Sequence, residues 1–266
     1  MPEIAEGTAC HLLVEAGSDG ISMVWYSKEP LKIEGLFIYQ TSKNNTEITL
    51  GEEIQKLLAG EQLPHYNSCT ISYNFKESLL VPAEYYKEEN REDTLACVYG
   101  NMPGTIYFSE AVPTIDATNI YRVPASVQEA ITNRFYAGQT IHSNSCLVAY
   151  ASKKELYCIV YNSYIKAILF INGKLQLVQS YDYNTPADVA YHLINVCTQH
   201  QLSPSEIVLT LSGFIDKQSN LYEELYRYFL NIELDELPED VEVTGEIRRH
   251  PLHFFSFLIA LVKCAS

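Results

Sequence analysis

Glu155–Tyr183 reads ELYCIVYNSYIKAILFINGKLQLVQSYDY and holds three apolar runs, Glu155–Tyr161, Ile165–Ile171 and Lys174–Tyr183. Asn172-Gly173 joins the last two. Asn-Gly between apolar runs is a strong hairpin signal, because the favoured two-residue turn needs positive φ at both central positions. Three short runs separated by tight turns predict an antiparallel meander. The same device stands near the other end of the chain, where His11–Ala16, Ile21–Ser27 and Lys32–Gln40 are broken by Gly17-Ser18-Asp19-Gly20 and by Lys28-Glu29-Pro30. Glycine, Asp-Gly and proline are turn residues.

A helix follows each meander. In the first half Leu50, Ile54, Leu57 and Leu58 fall at helical spacing and stop at Gly60. In the second half Thr185-Pro186-Ala187-Asp188 offers a capping threonine and a first-position proline ahead of Val189, Leu193, Val196 and Cys197. Strands and helices then alternate. The first half predicts strands at Cys69–Phe75, Leu79–Pro82, Thr105–Phe108 and Ile120–Val123, with helices at Glu88–Val98 and, entered through Pro124, at Ala125–Tyr136. The second predicts a strand at Glu206–Leu211 ending in Ser212-Gly213, a helix at Leu221–Phe229, an extended run at Val241–Ile247 and a buried helix at Leu252–Val262. Small polar residues gather between Gly138 and Ser145, ahead of a short helix at Cys146–Ala151, which divides the chain into a first lobe, 1–142, and a second, 143–266. Element order repeats without a sequence repeat. A meander joined to crossover helices implies an α/β protein with a mixed sheet and packed helices in each of two lobes.

Composition narrows the function. The 266 residues carry 18 basic and 33 acidic side chains, a formal charge of −15, which opposes attraction to phosphate backbones and anionic lipid. Direct nucleic-acid binding is therefore not expected. The seven cysteines include no CxxC pair and read as buried thiols in a reducing compartment. Met1–Ala9 has two glutamates and no basic stretch before an apolar run, and Leu252–Val262 is about half a membrane span. These features predict a cytoplasmic protein without a membrane segment. Twenty tyrosines suit half-buried strands, with a binding surface as the alternative.

Leu175–Phe229, with Tyr181, Tyr183, Thr185 and Asp188 at a helix start and Leu209, Leu211, Ser212 and Gly213 at a strand end, resembles an uncharacterised bacterial family, a domain of unknown function. SLLVPAEYY at Ser78–Tyr86 and SDGIS at Ser18–Ser22 extend the resemblance over nearly the whole chain. It implies the two-lobed actin-like ATPase (ribonuclease H-like) fold, whose lobes in actin, heat-shock ATPases and sugar kinases use the element order described above. It also implies a neighbouring gene for a ribosomal RNA methyltransferase.

Working ATPases of that fold hold phosphates and metal with two D-x-G hairpin turns and support adenine with a Gly-Gly strand end. Glycine lets backbone N–H groups approach phosphate, and carboxylates position magnesium and water. Glu15-Ala16-Gly17-Ser18-Asp19-Gly20 keeps an acid and a glycine, as half a phosphate turn or as an ordinary hairpin. Tyr161-Asn162-Ser163-Tyr164 keeps neither, and Gly213 is followed by Phe214, whose bulk should crowd a base. Glu15, Gly17, Ser18, Asp19, Gly20, Ser212 and Gly213 are thus the candidate residues for ATP with magnesium. Hydrolysis is not expected, since positioning and electrostatic stabilisation are missing on one side.

Phosphate-loop, nucleophile-elbow and H-E-x-x-H signatures are absent. His192, Cys197 and His200 share one helix, but His192 and Cys197 stand about 140° apart around it, which disfavours a metal site. Asp188 and His192, four apart, read as helix-face stabilisation with an acid/base pair as the alternative. His250-Pro251 marks a helix start near His253. Glu233, Asp235, Glu236, Glu239, Asp240 and Glu242 read as a solvated loop, or as a site for a cation or basic partner. Three functions follow: a non-catalytic module that binds another protein, a divergent ATPase or small-molecule kinase using Glu15 to Gly20, and an accessory acting through the methyltransferase.

Overall fold

A computed structural model describes residues 2, 4, 9–41, 47–60, 62–136 and 138–265, without the side chains at 47–49. Most of the acidic segment Met1–Ala9 therefore lies outside the described residues. The chain divides into two units: Met1–Cys146 with Asp240–Ile247 and Leu261–Ser266, and Leu147–Glu239 with Arg248–Ala260.

In the first unit β1 (His11–Gly17), β2 (Gly20–Ser27) and β3 (Lys32–Gln40) form the expected meander. Alternation sends Leu12, Val14 and Ala16 of β1, with Met23 and Trp25 of β2, into one core. Onto it α1 (Glu47–Gly60) lays Leu50, Ile54 and Leu58. The strand β4 (Ser68–Asn74) pairs parallel with β1. There follow β5 (Ser78–Pro82), α2 (Arg91–Tyr99), β6 (Thr105–Val112) and β7 (Ala117–Pro124), whose strands make a separate sheet in the order β5-β7-β6. Pro124 pairs with Thr105 as the last residue of β7 and is not the first residue of a helix. Its fixed φ suits extended backbone as well as helix, and the ladder decides. The helix α3 (Ala125–Arg134) returns to α1, and Gly51 makes this approach close: a Cβ there would stand 2.8 Å from Ser126 backbone atoms. The strand β8 (Gln139–His142) adds to β4, and α4 (Ser143–Ala151) begins at once.

The second unit repeats the plan. The strands β9 (Leu156–Val160), β10 (Tyr164–Ile171) and β11 (Lys174–Asp182) form the second meander, with Asn172 and Gly173 at φ 51° and 71°. Thr185 and Asp188 make a reciprocal capping box that starts α5 (Pro186–Gln199). After β12 (Val208–Gly213) and α6 (Asn220–Tyr226) comes β13 (Asn231–Leu234), and the sheet order is β11-β10-β9-β12-β13. Two elements near the end complete the chain. The strand β14 (Glu242–Val243) pairs with β3, and α7 is Ser256–Ala265.

Four readings need correction. No strand is read from the sequence at Asn231–Leu234, where Ile232 and Leu234 alternate with Asn231 and Glu233 over only four residues, too short a run to stand out at the head of an acidic segment. Val241–Ile247 is extended only at β14. Leu252–Val262 is split at Phe255, whose φ −133° and ψ 11° separate a 3-10 turn from α7. Finally, the cysteines are not seven buried thiols: Cys97 is exposed, and Cys146 and Cys264 form a disulfide with Cα atoms 5.7 Å apart. Among the described residues no helix is long and apolar enough to cross a membrane.

Tyrosine burial gives the fold a pH limit. Burial pushes the Tyr26 and Tyr73 hydroxyls from 10 up to about 12. The folded state thus holds these protons more tightly than the unfolded chain does. Their contribution to stability is complete below pH 10 and is lost between pH 10 and about 12. Urea midpoints measured across this range should fall steadily, and a Tyr73→Phe variant should flatten part of the fall.

Candidate functional site

The first candidate turn closes β1 onto β2. Gly17 pairs with Gly20, and both glycines are dictated by backbone approach: a Cβ on Gly17 would lie 2.6 Å from the Asn74 oxygen, and one on Gly20, at φ 133°, 2.1 Å from the Tyr39 oxygen. The turn is also tied from the side. The Thr41 N–H donates to the Asp19 carbonyl at 2.9 Å and its hydroxyl to the Ser18 carbonyl at 3.4 Å.

Behind the turn lies a buried polar network. Glu15 accepts from Asn74 Nδ2 at 3.0 Å, and Asn74 Oδ1 accepts from Ser143 Oγ at 2.8 Å. His142 Nδ1 accepts the Asn144 N–H at 3.1 Å, so the ring proton sits on Nε2 and donates to the Phe75 carbonyl at 3.0 Å. Both nitrogens are thereby used by a neutral imidazole. Ser78 Oγ donates to Asn119 at 2.7 Å and accepts from Asn144 Nδ2 at 3.1 Å. Glu110 accepts the His142 N–H at 2.9 Å and the Ser145 hydroxyl, which puts a carboxylate where the N-terminus of α4 would otherwise attract an anion. Burial pushes the Glu110 carboxyl up, while hydrogen bonds from Ser145, His142 and Asn119 pull it back. The sequence hinted at this network only through Ser143-Asn144-Ser145, which had marked a lobe boundary.

Ser212 and Gly213 lie in the second unit. Gly213, at φ 85°, leaves no space for a side chain, since a Cβ would lie 2.2 Å from the Val160 oxygen. Ser212 Oγ is within 2.6 Å of Ser256 Oγ and donates to the His253 carbonyl at 3.2 Å. His253 Nε2 donates to the Ile215 carbonyl at 2.7 Å. Nearby, the β9–β10 turn is packed by its own tyrosines. Tyr161 and Tyr164 are buried and stacked at 4.5 Å, Phe257 meets Tyr161 edge-on at 5.1 Å, and the Tyr161 N–H closes onto the Tyr164 carbonyl at 3.0 Å.

Other polar residues of the sequence have structural partners. Asp188 accepts the N–H groups of Asn184 and Thr185, which hold its carboxyl below the usual range. His192 stacks on Tyr181 at 4.7 Å and donates to the Asp182 carbonyl at 3.2 Å. Cys197 is buried, and burial pushes its thiol up to about 11. Asp235 departs from the solvated reading of the acidic run, whose Glu233, Glu236, Glu239, Asp240 and Glu242 are exposed. The Asp235 side chain is 0% exposed and accepts from Lys154 Nζ at 2.7 Å, Tyr157 OH at 2.8 Å and Tyr150 OH at 3.1 Å. Burial first, and then the Asp235 charge, raise both tyrosine hydroxyls. Among the described residues no group of three or more His, Cys, Asp or Glu side chains is arranged to hold a metal.

Paired meanders with crossover helices and mixed sheets define the actin-like ATPase fold, and structural neighbours agree. A protein of this fold and of unknown function from Bacteroides thetaiotaomicron is 17% identical over 99% of both chains, with a TM-score of 0.79. The chain belongs to the DUF3822 family, proteins of unknown function, whose pattern it matches over residues 3–232. A PilM–PilN type IV pilus biogenesis complex is similar at a TM-score of 0.59, with 13% identity over 94% of this chain and 97% of the other. The ethanolamine utilization protein EutJ from Carboxydothermus hydrogenoformans is similar at 0.52, with 10% identity over 96% and 90%. No curated protein matches the chain in sequence.

Proposed function

We propose that the protein is a non-catalytic module that binds another protein. The β9–β10 turn carries this reading: where an ATPase of this fold needs an acid and a glycine beside phosphate, the chain has Asn162-Ser163 between two stacked, buried tyrosines. Supporting it, the glycines of the first turn and Gly213 are each accounted for by backbone packing, and Glu15 is held by the Asn74 amide. The likeness to a protein solved within a pilus complex fits a binding role for the fold without a need for turnover. The charge of −15 points to a protein partner over nucleic acid.

Two measurements test the reading. Titration calorimetry with millimolar ATP and magnesium should give no heat, and tagged protein in native lysate should recover a stoichiometric partner. Binding heat with phosphate release would replace the proposal with a divergent ATPase. A pull-down without any stoichiometric partner would remove its main claim.

A further inference from the structure

The five-stranded sheet of the second unit ends on β11 at one side and β13 at the other, and the two edges differ. At β11 the Tyr183 N–H turns inward to the Ser163 carbonyl at 3.1 Å, so alternation turns the Ser180 and Asp182 carbonyls outward. Both accept from side chains, Ser180 from Gln179 Nε2 at 3.3 Å and Asp182 from His192 Nε2 at 3.2 Å. Such caps protect an edge from pairing. At β13 the Asp235 N–H turns inward to the Leu211 carbonyl at 2.8 Å, which leaves the N–H and C=O of Ile232 and Leu234 pointing outward. Among the described residues no side chain caps these groups.

Side chains around the open edge have a definite chemistry. Ile232 and Leu234 pack against the cluster of Leu225 and Phe229, and the chain entering β13 exposes Tyr226 at 57%, Tyr228 at 43% and Leu230 at 60%. Glu233 alternates to the opposite face and is exposed, as is Glu236 beyond it. Arg227 pairs with Glu224 at 2.8 Å and Lys154 with Asp235 at 2.7 Å, and among the described residues no salt bridge reaches Glu233 or Glu236. One rim is therefore apolar and aromatic, and the other carries Glu233, exposed and without a salt bridge among the described residues.

We propose that the outer edge of β13 takes an extended basic segment of a partner protein by strand addition. Apolar side chains of the segment would lie along Leu230, Ile232 and Leu234, and its alternate lysines or arginines would face Glu233. Main-chain hydrogen bonds give affinity in this mode, and alternating side chains give specificity. The inference rests on the protein-binding reading and narrows it to one edge and one partner chemistry.

The test uses the full chain and a labelled peptide of alternating lysine and valine, followed by fluorescence anisotropy. Binding should weaken with salt, and should fall at least about tenfold for a glutamate–valine peptide, as expected for opposite against like charge across a strand pair. It should fall similarly for a backbone N-methylated peptide, for Glu233→Lys and for Leu230→Asp, both exposed substitutions that spare the core. Hydrogen exchange should slow at the amides of Ile232 and Leu234 on peptide addition. No binding, or binding indifferent to N-methylation and to both variants, would overturn the edge. A lysate partner recovered equally by wild type and by the Glu233→Lys/Leu230→Asp double variant would overturn the edge while leaving the protein-binding module intact.

Discussion

Gly213→Ala is expected to destabilise the protein by about 2–5 kcal/mol, a large share of the stability of a typical domain. Two costs combine. A side chain at φ 85° costs about 1–2 kcal/mol, and the Cβ would stand 2.2 Å from the Val160 oxygen in the neighbouring strand, which must shift because backbone cannot rotate away. Gly173→Ala is the control: its φ is 71°, but nothing lies within 4 Å of the added Cβ, so it should cost only about 1 kcal/mol. Urea unfolding of both variants separates a conformational cost from a collision. If Gly213 were kept for a nucleotide instead, alanine would leave the urea midpoint near wild type and change only ligand affinity. That result would favour the strand end as a ligand site.

The contrast between Gly173 and Gly213 also separates what a sequence carries locally from what only the fold supplies. Asn172-Gly173 announces its hairpin because the cause is local: two residues that tolerate positive φ between two apolar runs. Thr185-Pro186 and Asp188 announce α5 for the same reason, and the capping box is present in full. Gly213 reads as a ligand glycine in sequence, and the close approach of Val160, on a strand distant in the chain, adds a demand that no local pattern carries. The network behind Glu15 was equally hidden. Asn74, Glu110, His142 and Ser143 come from separate strands and one helix start: parallel pairing of β4 with β1 and β8 gathers Glu15, Asn74 and His142, while Glu110 reaches them from β6 of the other sheet. Within the acidic run Asp235 alone misled, and for a physical reason. Charge in a sequence normally signals solvent, and Asp235 is buried because a lysine and two tyrosines elsewhere in the same unit supply its donors.

Asp235→Ala should therefore be among the most damaging single changes in the second unit, at about 3–5 kcal/mol, the usual cost of removing one partner from a buried ion pair. The alanine leaves Lys154 without its counter-charge and removes the acceptor of the Tyr150 and Tyr157 hydroxyls. Asp235→Asn keeps an acceptor oxygen of the same shape and should cost less than the alanine. Pairing Asp235→Leu with Lys154→Met removes both charges and should recover part of the loss, since apolar replacement of a whole buried pair is often tolerated. Equal losses for Asp235→Ala and the double variant would show that packing, not charge, sets the cost. Location makes this residue matter for the proposed function. Asp235 directly follows β13, its N–H bonds to the Leu211 carbonyl, and its carboxylate pins that end to Tyr157 on β9. Losing the pin should fray β13 before the rest of the sheet, so hydrogen exchange in Asp235→Ala should speed up at the amides of Glu233 and of residue 235, which face β12, while β9 and β10 stay protected. Such a variant, if still folded, would lose the open edge without changing any side chain proposed to touch the partner. Retained peptide binding with a frayed β13 would mean that binding does not need a strand there.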